Sequence, residues 1–113
     1  MTNDKLRAED QLFLRQGTTY TKIPVGTIHY IQADGNYAYV QTAEQRFAVK
    51  RSLASIEEKF AAPQFARVSR GMIVNFDHVT QLSFAEGLIV VGGVDIKMGK
   101  AYYQDVKNRI SRL

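Results

Sequence analysis

Thr27-Ile28-His29-Tyr30-Ile31-Gln32, then Ala33-Asp34-Gly35-Asn36, then Tyr37-Ala38-Tyr39-Val40-Gln41-Thr42 follow one another without interruption. The outer two stretches are rich in β-branched and aromatic residues, and their apolar periodicity is two rather than 3.6. The middle one carries Asp-Gly, where glycine accepts positive φ without steric cost and turns the chain back on itself. The three together predict an antiparallel hairpin. Downstream, the polar turn at Ala43 to Gln45 leads into a further strand, Arg46-Phe47-Ala48-Val49. Upstream, Leu12-Phe13-Leu14-Arg15 and Tyr20-Thr21-Lys22-Ile23 flank Gln16-Gly17-Thr18 as another hairpin. Short strands at such close spacing form a meander.

Ser52 opens the clearest helix, near 52–60. Its hydroxyl suits an N-cap, and Leu53, Ile56 and Phe60 follow at helical spacing. Glu57 and Glu58 fall on the solvent side, and Pro63 closes the element. Phe65-Ala66-Arg67-Val68 reads as extended, whereas Ser69 to Asn75 fits a helical turn or a strand. Three short strands follow, Val79 to Phe84, Leu88 to Val91 and Val94 to Met98, turned by Ala85-Glu86-Gly87 and Gly92-Gly93. A C-terminal helix near 100–111 is expected, with Tyr103, Val106, Ile110 and Leu113 along one stripe. The reading is mainly β: residues 1–10 as a tail or linker, and 11–113 as one domain.

The 113 residues suffice for one domain with a core of its own. No cysteine is present, which excludes disulfides, thiolate metal sites and cysteine nucleophiles. Two histidines, His29 and His78, are too few for a multi-histidine centre. No apolar run approaches the roughly 18 residues of a membrane span. Met1-Thr2-Asn3-Asp4-Lys5 lacks the apolar centre of a signal peptide, so a cytoplasmic location without membrane contact is expected. Fifteen Lys and Arg against eleven Asp and Glu give a net charge of +4. From Ile96 onward Lys97, Lys100, Lys107, Arg109 and Arg112 face a single acid, Asp105, so this segment carries the whole excess. Basic residues gathered in defined stretches suit a polyanion; the plainer reading is a charge that serves solubility.

Catalysis finds little support. Gly92-Gly93 lies between apparent strands with no Lys-Ser/Thr after it, unlike a phosphate loop. Turn chemistry explains Asp34, and neither Ser52 nor Ser69 has an elbow motif. No enzymatic activity, cofactor or metal is expected. Three polar constellations remain: Asp34-Gly35-Asn36-Tyr37 with Tyr39, Arg67-Val68-Ser69-Arg70-Gly71, and Lys97-Met98-Gly99-Lys100. Arg and Lys pair with phosphates, and Arg also forks onto guanine in a major groove. Tyr37 and Tyr39 share a strand face, so packing explains at least one of them.

These blocks resemble a known family, the LytTR DNA-binding domain. Ile28 to Tyr37 is similar to its opening block, and Lys50-Arg51-Ser52-Leu53 with Ile56-Glu57 to its strand-to-helix junction. Phe65-Ala66-Arg67-Val68-Ser69-Arg70-Gly71-Met72-Ile73-Val74-Asn75 resembles its most diagnostic block. Ile96 to Tyr102 resembles the strand end before its last helix. In order and spacing the blocks cover about residues 11–110. The resemblance implies antiparallel strands in small stacked sheets and the effector domain of a bacterial transcription regulator. It further implies double-stranded DNA as partner, read in successive major grooves by loop side chains, with two copies pairing on repeated sites.

Carried over by motif, Tyr37, Arg70 and Lys100 would read bases. Asn36, Lys50, Arg51, Arg67, Ser69 and Lys97 would face phosphate or support the loops, and Asn75 would be structural. Three positions depart from the family's habit: Ser69 stands for a frequent His, and Gly71 and Gly99 for frequent Ser. The family often has a receiver domain upstream; none is visible here, which implies a fragment or a stand-alone member. The alternative from another class is a β-rich protein-interaction or ligand-sensing module.

Overall fold

The computed structural model describes residues 5–61 and 64–113. Pro63, expected to close the first helix, lies outside the described residues, as does the start of the N-terminal segment.

The hairpin expected around Asp34-Gly35 forms as β3 (Tyr30–Asp34) and β4 (Tyr37–Gln41), paired antiparallel with Ile31 opposite Val40 and Asp34 opposite Tyr37. Gly35 turns it at φ 62°. β5 (Arg46–Val49) adds to β4, and β7 (Met72–Asn75) adds to the other side of β3. β6 (Phe65–Ser69) completes a five-stranded antiparallel sheet in the order β5-β4-β3-β7-β6. The stretch from Ser69 to Asn75, open between helix and strand by sequence, therefore divides into a strand end, a tight turn and a full strand.

β1 (Gln11–Gln16) and β2 (Thr19–Pro24) form a separate two-stranded hairpin. β8 (Val79–Ser83), β9 (Leu88–Val91) and β10 (Val94–Lys97) form a three-stranded antiparallel sheet. The first helix, α1 (Leu53–Glu57), is shorter than expected. Ser52 caps it as its chemistry suggests, its hydroxyl accepting from the Ser55 amide at 3.1 Å. Phe60 is buried beyond the helix end, where it forms a parallel bridge with Leu6. Of residues 1–10, Leu6 donates to the Lys59 carbonyl at 2.7 Å, and its own carbonyl accepts from Ala61 at 2.8 Å.

The C-terminal helix also contracts. A 3-10 turn covers Lys100–Tyr102, and α2 (Tyr103–Arg109) follows. Val106 is buried and Tyr103 packs beside it, but Leu113, assigned by sequence to the same stripe, is fully exposed. The helix ends at Ile110, whose extended backbone carries Leu113 away from the stripe. Among the described residues no helix is long and apolar enough to cross a membrane.

The large sheet carries a core layer on each face, and β7 is buried throughout. One face, with the β1–β2 hairpin and α1, packs Ile28, Ile31, Val40, Phe47, Ile56 and Ile73. The other, with the small sheet and α2, packs Val68, Met72, Val74, Ile89, Met98 and Val106. Side chains alternate across a strand, so Ile73 belongs to one layer and its neighbours Met72 and Val74 to the other. This is why Met72-Ile73-Val74 shows no polar alternation in the sequence.

One polar side chain lies fully buried among the described residues, that of Asn75. Its Nδ2 donates to the Ile28 carbonyl at 2.8 Å, and its Oδ1 accepts from the Asp77 amide at 2.9 Å and Gln64 Nε2 at 3.2 Å. It thereby ties the end of β7 to the segment that leads into β3.

Beside it, the rings of His29 and His78 stand 4.3 Å apart, with His78 Nε2 2.7 Å from the Gly26 carbonyl. Gly92, at φ 55°, closes over His29: a Cβ there would come within 2.2 Å of His29 Nδ1. Burial, and secondarily the neighbouring His78, hold the His29 pKa below the ordinary value of 6.5. The unfolded chain then binds a proton at His29 more readily than the folded one, so stability falls as pH drops below 6.5 and levels off beneath the folded pKa. Urea midpoints of the wild type and His29→Gln, measured between pH 8 and 5, should show the smaller loss in the variant. Equal losses would remove His29 from the pH response.

Candidate nucleic-acid interface

Antiparallel pairing brings two chain reversals and a strand end to one end of the large sheet. β3 ends there and β4 begins, β6 ends and β7 begins, and β5 ends with Lys50-Arg51 beyond it. At about 4.8 Å between strands, this end is about 19 Å wide. Across it stand Lys50 and Arg51, then the Asn36-Tyr37 tip, then the Ser69-Arg70-Gly71 turn.

Backbone hydrogen bonds lock these loops side by side. The Ala33 amide donates to the Gly71 carbonyl at 2.9 Å, joining the β3–β4 tip to the β6–β7 turn. The Gly99 amide donates to the Val68 carbonyl at 2.8 Å and the Met98 amide to the Gly87 carbonyl at 2.8 Å. The first of these bonds brings the β10 end, with Lys97 and Lys100, beside the end of β6, and the second ties it to the β8–β9 turn. Gly99 serves a close approach: a Cβ there would lie 3.2 Å from the Tyr102 ring and 3.6 Å from the Ser69 Cα. Gly71 is different, because a Cβ there would meet only the Ala33 carbonyl, at 3.9 Å.

The side chains divide by how they are held. Asn36, Tyr37, Lys50, Arg51, Arg70, Lys97 and Lys100 are exposed, while Ser69 is half-buried. Tyr37 is 43% exposed, with its ring 6.3 Å from that of Tyr39. Tyr39 is half-buried and carries the Arg46 guanidinium over its face at 3.9 Å. Of the tyrosine pair, Tyr39 is the packed member and Tyr37 the presented one.

Arg67 is held inside the fold. Its Nη1 donates to Glu57 Oε1 at 3.0 Å, its Nε to the Ser69 carbonyl at 3.2 Å and its Nη2 to the Arg70 carbonyl at 2.6 Å. The guanidinium thus grips the turn that carries Arg70 and anchors it to α1. A bulge between Arg67 and Ser69 accompanies this grip. Glu57, read from sequence as a solvent-side residue, is the partner; nothing local marks a contact ten residues away across a strand. Arg46 was likewise absent from the expected set, although the β4–β5 register sets it on the face of Tyr39. The basic C-terminal segment splits too: Lys107 sits 5.1 Å over the Phe84 ring and Arg109 bonds Asp105 at 3.1 Å, both on α2. Asp34, opposite Tyr37, places one carboxylate at this otherwise basic edge.

Comparison with known proteins bears on the family and the fold. No match is found among curated proteins. Among solved structures, the LytTr DNA-binding domain of a protein described as a methyl-accepting/DNA response regulator from Bacillus cereus shares the fold. It superposes with a TM-score of 0.78 at 20% identity, over 88% of this chain and 94% of that one. The LytTr DNA-binding domain family itself matches residues 18–111, which include every strand from β2 to β10 and both helices. The chain belongs to the LytTR family of DNA-binding domains.

Proposed function

We propose that this domain binds double-stranded DNA sequence-specifically through the loop-bearing end of its five-stranded sheet. The observation that carries the reading is the alignment of three locked loops presenting Tyr37, Arg70 and Lys100 side by side. Arg70 and Lys100 reach bases in a major groove, and Tyr37 meets base edges or sugar at the flank. Lys50, Arg51, Lys97 and Asn36 face phosphates, while Ser69 supports the turn. Arg67 acts by holding that turn, since its donors are already engaged by Glu57 and two carbonyls.

One small module buries roughly 600–1,000 Å² of protein surface on DNA. Specific recognition therefore calls for two copies on half-sites about one helical turn, or a multiple, apart. A receiver domain in a longer chain would bring such copies together, in the cytoplasm of a bacterium. Selection of bound sequences from a random duplex pool tests the reading directly. The expected product is a repeated motif at helical spacing, with affinity falling as salt rises by about −0.9 in logarithmic slope per phosphate. Failure to retain duplex DNA at low salt would overturn it.

Two substitutions separate the assigned roles. Lys50→Ala should weaken all duplexes about equally and flatten the salt slope by about one. Arg67→Ala should weaken binding with the slope unchanged, because no phosphate contact is lost. A slope that drops in Arg67→Ala would place its guanidinium on the DNA instead.

A further inference from the structure

Beside the DNA-facing end, an open cleft of about 620 Å³ runs between the β1–β2 hairpin, the edge of β5 and α1. Its floor is apolar, formed by Leu12, Leu14, Val49, Ile56 and Phe60. Four cations border it, Arg15, Lys50, Arg51 and Lys59, and among the described residues no acidic one lines it. Arg15 Nε donates to the Gly17 carbonyl at 2.8 Å, and none of the four forms a salt bridge among the described residues. Tyr37 also lines the cleft.

We infer that this cleft binds a small amphipathic carboxylate, with its apolar body on the Leu12–Ile56 floor and its anionic head on the basic rim. The volume falls within the range of small-molecule sites, which pair a mostly apolar lining with a few polar groups. The rim selects the charge. A neutral apolar ligand would leave four cations without a partner, and a cationic one would be repelled. A second copy seated symmetrically would set the same four cations against themselves. DNA has no apolar body to cover the floor.

The position adds a consequence, which rests on the DNA-binding reading above. Tyr37, Lys50 and Arg51 belong to both the cleft and the DNA-facing end. A bound carboxylate draws Lys50 and Arg51 inward and offsets part of their charge, so ligand and duplex oppose each other by reciprocal linkage.

Decanoate, kept below its micellar concentration, is a suitable probe, with decanol as the neutral control. Amide and methyl chemical shifts of the labelled domain should move saturably at Leu12, Val49 and Lys59 with decanoate, and at least tenfold more weakly with decanol. The double variant Arg15→Gln/Lys59→Gln should bind decanoate at least fivefold more weakly while its unliganded spectrum stays folded. Equal binding of decanol, shifts scattered over the surface, or an unaffected double variant would each overturn the site. Concentration-dependent dimerisation through these residues without ligand would assign the cleft to a second copy and overturn it as well.

Saturating decanoate should lower duplex affinity at least threefold in the wild type. Ligand binding with unchanged DNA affinity would overturn the opposition alone. Absence of duplex binding without any ligand would be a failure of the DNA reading, distinguishable because the shift titration contains no DNA.

Discussion

Asn75→Asp should destabilise the domain by about 3 kcal/mol or more at neutral pH, the cost of a buried charge left without compensation. The substitution keeps the shape and changes one atom. Where Nδ2 donates to the Ile28 carbonyl at 2.8 Å, an oxygen would now confront that carbonyl at the same distance. The two donors on the other side, the Asp77 amide and Gln64 Nε2, remain and are too few to solvate a carboxylate in a fully buried site. Protonation relieves the conflict, because a carboxylic acid donates where the amide did. The folded pKa of the new Asp would therefore lie above its unfolded value of about 3.9. With a raised folded pKa, the deficit is greatest above it and shrinks as pH falls toward the unfolded value. Asn75→Ala lacks this pH dependence and should cost about 1–3 kcal/mol at any pH, from the unpaired carbonyl. Urea midpoints of both variants against wild type, at pH 7 and pH 5, check the pattern. A deficit in the Asp variant that does not narrow relative to the Ala variant on acidification would contradict it.

Arg70→Ala should cost about 1–3 kcal/mol on the preferred duplex and erase preference at one base pair. The side chain is exposed on a turn whose backbone is fixed from both sides, by Arg67 on its carbonyl and by Ala33 on Gly71. Its own guanidinium has no carboxylate partner among the described residues, so removal should leave stability unchanged. A planar fork matches guanine O6 and N7, where Lys offers a point charge. Arg70→Lys should thus restore general affinity without the lost preference. Selections from random duplexes with the three proteins, compared position by position, test this. Wild-type base preference in both variants would move the specificity to Lys100 or Tyr37.

Much of this architecture is legible from local chemistry. Asp34-Gly35 marks the central hairpin, Ser52 marks the start of α1, and the glycine turns separate β8, β9 and β10. The segment Ser69 to Asn75 resisted reading because β7 is buried on both faces, which removes the polar alternation that distinguishes strand from helix. The ends of both helices were misjudged for a related reason. Phe60 sits at helical spacing but is buried beyond the end of α1, where it bridges Leu6, and Ile110 stands where the backbone has already turned extended. At the proposed interface, Tyr37, Arg70 and Lys100 follow from motif resemblance, and the fold adds that backbone hydrogen bonds join the loops that carry them. The pairing of Arg67 with Glu57 depends on α1 lying beside β6. That is a tertiary fact with no trace in either residue's surroundings.

The division of the core into two layers has a consequence for how the domain becomes competent. The β3–β4 tip is built on strands of the hairpin-side layer, and the Lys100 junction hangs from the small sheet of the other. The strands that carry the β6–β7 turn pack into both layers. A partly folded chain with one layer packed would thus hold at most two of the three loops in place. On the binding mode proposed above, DNA recognition would then need both layers packed.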